Sequence, residues 1–155
     1  MAEVQIKEVK AMTVMSLPFT GSYNQTQDKL DELMSWLLRV GHPASGAPMG
    51  LYYDDPAKVA ADDLRGEVCV HIDEPCEPAE EFRRKELPAV KAACASHQGP
   101  YHEVSRLYQE IFAWMAENGH KYDGTLPCRE VFRKLYGEVK DPAEFITEVQ
   151  VPLLS

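Results

Sequence analysis

Glu130 lies in Cys-Arg-Glu-Val-Phe-Arg-Lys-Leu (128–135), and the stretch from Glu130 to Leu135 reads as a β-strand. Residues two apart on a strand share a face, so Glu130 and Phe132 point one way while Arg129 and Val131 point the other. A carboxylate set among aromatic rings suits a flat organic cation: the charge is met at one end, and quadrupole and stacking attraction act along the rest. Desolvation among rings would raise the pKa of such a carboxylate and fit it to poise a water as general base. A plainer reading stands beside these, in which Glu130 is an exposed strand carboxylate paired with Arg129, Arg133 or Lys134.

Other chemistries are poorly represented. There is no Ser-His-Asp set and no phosphate-binding glycine loop. Cys69, Cys76, Cys94 and Cys128 are far apart and form no Cys-x-x-Cys pair, which argues against a metal centre. His42 and His120 each follow a glycine that ends a helix and read as cap or surface residues. The net charge of −9 leaves no basic footprint for nucleic acid and weakly favours cationic guests or basic protein surfaces. No cofactor is indicated.

The elements that must position Glu130 come from an internal repeat. Shifting the chain by 78 positions lays residues 6–42 on 84–120 with nine identities: Lys7/Lys85, Glu8/Glu86, Ala11/Ala89, Gly21/Gly99, Tyr23/Tyr101, Glu32/Glu110, Trp36/Trp114, Gly41/Gly119 and His42/His120. Further on, Gly50-Leu51-Tyr52 aligns with Glu130-Val131-Phe132. Each half reads as a strand (11–17 or 89–97), a glycine turn, an amphipathic helix and two strands: 50–53 with 67–72, and 130–135 with 146–151. The fold class expected is α+β: a duplicated strand–helix–strand–strand unit forming a pseudo-twofold antiparallel sheet, with helices on one face and a ligand groove on the other. The boundaries are repeat one at 4–72, an acidic, Pro-rich link at 73–81, and repeat two at 82–153.

Pairing strand 50–53 with strand 130–135 would put Gly50 and Tyr52 on the face of Glu130, with Gly50 leaving the space before the carboxylate open. Met49, Met15 and Met115 would supply adaptable walls if they line it. Tyr101 opens the second helix after a Gly-Pro turn and can aim a hydroxyl into a groove or pack against the turn. Trp114, three residues from Ile111, can line the groove or pack in the core.

Gly-Leu-Tyr-Tyr-Asp-Asp-Pro (50–56), Asp-Leu-Arg (63–65), Gln-Gly-Pro-Tyr (98–101), Trp114, Glu-Asn-Gly (117–119) and Cys-Arg-Glu-Val-Phe (128–132) resemble, in order, the motifs of GyrI-like small-molecule-binding domains. The resemblance covers nearly the whole chain. It implies a central glutamate at Glu130 and groove-lining aromatics at Tyr101, Tyr108, Trp114 and Phe132. It also implies a stand-alone binder of lipophilic, often cationic aromatic compounds, like the effector-binding domains of multidrug-responsive transcription activators. Two alternatives come with it. One is hydrolysis of cyclopropane-bearing DNA-alkylating natural products, with Glu130 and Tyr101 catalytic; the other is a gyrase-inhibiting protein partner. The sequence departs from the common pattern after Phe132, where Arg133-Lys134-Leu135 replaces an aromatic, a Leu and an Asn-Asp turn.

At 155 residues, 45% hydrophobic and 26% charged, the chain has ordinary globular composition. The start, MAEVQIKEV, lacks the pattern of a signal peptide, and no apolar window reaches the roughly 18 residues of a membrane span. A cytoplasmic protein with reduced thiols is expected, without a DNA-binding segment ahead of a first strand that begins near residue 4.

Overall fold

The computed structural model describes residues 2–154 except 43, 75, 80, 136 and 137. Two of the excepted positions, Pro75 and Glu80, fall in the expected link. The fold is α+β, with eight strands and two helices: β1 (Gln5–Val9), β2 (Met12–Thr20), α1 (Thr26–Arg39), β3 (Met49–Tyr52), β4 (Arg65–His71), β5 (Arg83–Leu87), β6 (Val90–Gln98), α2 (Val104–Glu117), β7 (Cys128–Lys134) and β8 (Ile146–Pro152). Short 3-10 turns precede both helices (Tyr23–Gln25 and Tyr101–Glu103) and both last strands (Ala61–Asp63 and Pro142–Glu144). From β1 to α1 every boundary recurs 78 residues later in β5 to α2, the same shift that aligns the sequence with itself.

Two compact units form, one from Met1–Lys10 with Ala89–Ser155 and one from Ala11–Pro88. In the first, antiparallel strands run in the order β1-β6-β8-β7; in the second, β3-β4-β2-β5. Within the expected repeats, 4–72 and 82–153, the strand predicted ahead of each helix is 11–17 or 89–97. The structure adds β1 and β5 ahead of it, and each pairs with the strand of the other repeat: β1 with β6, and β5 with β2. Charged residues fill these strands, Lys7-Glu8 and Arg83-Arg84-Lys85-Glu86, so their apolar alternation is faint. They hold their places as sheet edges, where charge is tolerated.

In the first unit α2 lays Val104, Leu107, Ile111 and Met115, spaced three and four apart, onto Ala93 and Ala95 of β6, Cys128 of β7, and Val149 and Val151 of β8. In the second unit α1 buries Leu30, Leu33, Trp36 and Leu37 and packs on β4 and β2. Both helices stop the same way. Gly41 (φ 78°) and Gly119 (φ 74°) take the left-handed conformation that glycine adopts without penalty. The following amides then reach back to the helix, His42 N to Leu37 O at 3.0 Å and His120 N to Met115 O at 2.9 Å. The two histidines are therefore part of a helix-ending motif.

Among the described residues no helix is long and apolar enough to cross a membrane. The four cysteines are buried and not joined in disulfides, and no group of three or more His, Cys, Asp or Glu could hold a metal ion among the described residues.

Candidate functional site

On β7 the alternate residues Cys128, Glu130 and Phe132 share one face. Cys128 packs with Leu107, Ile111 and Met115, and Glu130 is in register with Val149 of the same core, so this is the face that carries α2. The expectation that a groove containing Glu130 would lie on the helix-free face is thereby corrected. The residues of β7 that face away from the helix are Arg129, Val131 and Arg133.

Three tyrosines stand over Cys128, Glu130 and Phe132. The Tyr108 hydroxyl donates to Oε2 of Glu130 at 2.6 Å. Tyr101 meets the Phe132 ring edge-on, with centroids 5.7 Å apart, and stacks on Phe145 at 4.8 Å. Tyr122 hydrogen-bonds through its hydroxyl to Leu126 O at 3.3 Å and to the Cys128 thiol. The result is one carboxylate in a row otherwise made of rings and a thiol.

The electrostatics follow from that setting. Glu130 keeps partial access to solvent but lies deep in the fold, and burial raises its pKa to about 7, with the Tyr108 hydrogen bond pulling the other way. Among the described residues no lysine, arginine or histidine forms an ion pair with it; Arg133 goes instead to Glu148, 2.7 Å away. Burial pushes the Tyr101 hydroxyl up to about 12, helped by the charges of Glu138 and Glu130. Cys128 is likewise pushed up to about 12 by burial.

Trp114 is not brought to this row. Six residues from Tyr108, it lies about 120° around the helix, where it stacks on His120 at 5.4 Å with rings 7° from parallel. Phe112 takes the place beside Tyr108, one turn on, and it is 38% exposed and edge-on to Tyr122 at 5.7 Å. Phe112, Tyr122 and Phe145 were missed by reading the sequence. The i, i+4 spacing from Tyr108 could have flagged Phe112, whereas nothing local marks Tyr122 or Phe145.

In the second unit, the counterpart of the Glu130 position is Gly50, and the space before it is filled. The Tyr52 ring folds back so that a Cβ on Gly50 would lie 2.5 Å from its Oη and 2.7 Å from its Cζ. The Tyr52 and Thr26 hydroxyls hydrogen-bond at 2.9 Å, and Tyr23 closes on the Tyr52 ring at 4.6 Å. Gly50 thus makes room for Tyr52 rather than for a guest. Met49 is buried on the opposite face of β3, and Met15 and Met115 are core residues rather than pocket walls.

The family model for the GyrI-like small-molecule-binding domain matches residues 2–154. The chain belongs to this family. A protein of Pectobacterium carotovorum subsp. carotovorum (strain PC1) named DNA gyrase inhibitor is 35% identical over 68 residues, 43% of this GyrI-like chain and 44% of that relative. The chain therefore matches less than half of that protein's length. Among solved structures, the EcmrR C-terminal domain superposes with a TM-score of 0.84 at 21% identity, covering 99% of this chain and 98% of that one. A protein encoded by lin2189 of Listeria innocua, described as a hydrolase, gives 0.72 at 10% identity with 98% and 92% covered. SAV2435, solved bound to tetraphenylphosphonium, gives 0.64 at 13% identity with 99% and 94% covered. At these identities the likeness to solved structures is one of fold.

Proposed function

We propose that this GyrI-like domain binds lipophilic aromatic cations at Glu130, with Tyr108, Tyr101, Phe132 and Phe112 as the surrounding rings. The observation that carries the reading is a deeply set carboxylate with a single tyrosine donor and no cationic partner among the described residues. A buried charge is retained at a cost of several kcal/mol unless something compensates it. A guest cation would supply the compensation, and the rings would take its aromatic body. The tetraphenylphosphonium held by SAV2435 is a guest of that kind in the same fold. Titration of this protein with tetraphenylphosphonium above pH 8 is expected to give saturable binding, weakened at least tenfold by Glu130→Gln, while a neutral aromatic dye loses little. Equal weakening of both probes would remove the electrostatic part of the proposal.

A second reading, hydrolysis of cyclopropane-bearing alkylators, is favoured by one feature: a carboxyl whose pKa lies near neutrality, beside a tyrosine hydroxyl. The Listeria innocua protein described as a hydrolase shares the fold. Ring-opened product formed by the wild-type protein and lost in Glu130→Gln would establish it; intact alkylator after incubation would leave the binder alone.

A further inference from the structure

We propose that guest binding at Glu130 is coupled to proton exchange, so that the protonation state of this one carboxyl decides whether the site takes a cation or a neutral hydrogen-bond acceptor. The inference rests on the binding reading above and specifies its regulation.

The groups facing Glu130 explain why. From α2 comes the Tyr108 hydroxyl, its hydrogen-bond donor at 2.6 Å. From the 3-10 turn before α2 comes Tyr101, whose hydroxyl stays neutral because burial and the charges of Glu138 and Glu130 hold it at about 12. From β7 come Phe132 and Cys128, the thiol also held neutral by burial. From β8 come Val149 and Thr147, both fully buried. Of the other charged residues of these strands, Arg133 and Glu148 bond each other on the other side, the strand alternation puts Arg129 on that side too, and Lys134 is exposed. With the Tyr101 hydroxyl and the Cys128 thiol neutral, Glu130 is the group of this row that changes charge in the physiological range, while the charge of Glu138 reaches Tyr101 from outside β7.

The balance is simple. In the empty site near pH 6 the carboxyl is mostly protonated and can donate its O–H to a carbonyl or ether oxygen of a neutral guest. When a permanent cation enters, the O–H bond breaks, the proton passes to buffer, and the carboxylate keeps the electron pair beside the cation. Below the carboxyl pKa, cation affinity then falls tenfold per pH unit, and above it affinity is flat. Tyr108 tunes the midpoint, because its hydrogen bond stabilises the ionised form.

Tetraphenylphosphonium, which has no titratable group, is the probe. Its apparent Kd is expected to weaken roughly 30-fold from pH 8.5 to pH 5.5. Calorimetry at pH 6 in two buffers of different ionisation enthalpy is expected to count close to one proton released. Glu130→Gln should bind weakly with no pH dependence. Tyr108→Phe should move the midpoint to higher pH, which a merely structural tyrosine would not do. Binding by the wild-type protein with no proton release at pH 6 and a flat profile overturns the coupling while leaving the binding reading intact. A folded protein that gives no binding at any pH overturns both.

Discussion

The ammonium of Lys7 lies 2.6 Å from Oε2 of Glu148, a residue 141 positions later whose side chain is only 4% exposed. Arg133 and Gln150 hold the other oxygen at 2.7 and 2.9 Å. Burial alone would push the Glu148 pKa up; the hydrogen bonds from Lys7, Arg133 and Gln150 outweigh it and hold it below the ordinary value. The second unit repeats the device with Lys85 on Glu67 at 2.9 Å and Tyr53 donating to the same oxygen at 2.7 Å. In each unit the lysine comes from the edge strand contributed by the other repeat, so the pair fastens that strand to its sheet.

Lys7→Met is therefore expected to destabilise the protein by about 1–2 kcal/mol. The lysine is half exposed and Arg133 and Gln150 remain, which keeps the loss below that of an abandoned buried charge. Urea denaturation with the midpoint lowered and the slope unchanged is the check. Glu148→Ala, which strands Arg133 as well, should cost more.

The two kinds of glutamate give opposite dependences of stability on pH. Glu148 and Glu67 have lowered pKa values, so their stabilisation is present above the ordinary carboxylate range and lost as pH falls through it. Glu130 has a raised value, so its contribution is greatest below about 4.5 and is lost as pH rises through about 7. Glu130→Gln should remove only the second trend. The stability of the variant relative to wild type is expected to rise by about 3 kcal/mol between pH 4.5 and pH 8, read from denaturation midpoints across that range.

Gly50→Ala should be costly although glycine is not needed there for its backbone conformation. The added methyl would displace the Tyr52 ring from its place over Gly50 and break its bond to Thr26. A loss of about 1–3 kcal/mol is expected. Trimming the ring in Gly50→Ala/Tyr52→Leu should recover part of it, since the three nearest atoms to the added methyl all belong to the Tyr52 side chain.

The tryptophans are predicted to differ despite their equivalent places in the repeat. Trp36 is buried in a parallel stack on Phe82, with centroids 4.5 Å apart, whereas Trp114 is half-buried against His120. Phe82→Ala should cost roughly 3 kcal/mol and shift the Trp36 emission to the red. Trp114→Phe should leave stability within about 1 kcal/mol of wild type.

Patterns confined to short stretches of chain were legible without coordinates. The helical spacing of Leu30, Leu33 and Leu37 and of Val104, Leu107, Ile111 and Met115, and the helix-ending Gly41 and Gly119, are set by neighbours three to five residues away, and the 78-residue shift is read by comparing such stretches with one another. The α+β class followed from them, as did Glu130 as a strand carboxylate. What the tertiary structure alone decided was which face, and which partner. A strand's alternation tells that Glu130 and Phe132 point together, but not toward which layer; the packing of α2 on Cys128 and Val149 fixed that. The exchange of β1 and β5 between repeats, the Lys7–Glu148 and Lys85–Glu67 pairs, and the Tyr101–Phe145 stack each join residues 18 to 141 positions apart. Such contacts leave no periodic trace, because nothing in the local chain constrains a partner that only the folded sheet brings near.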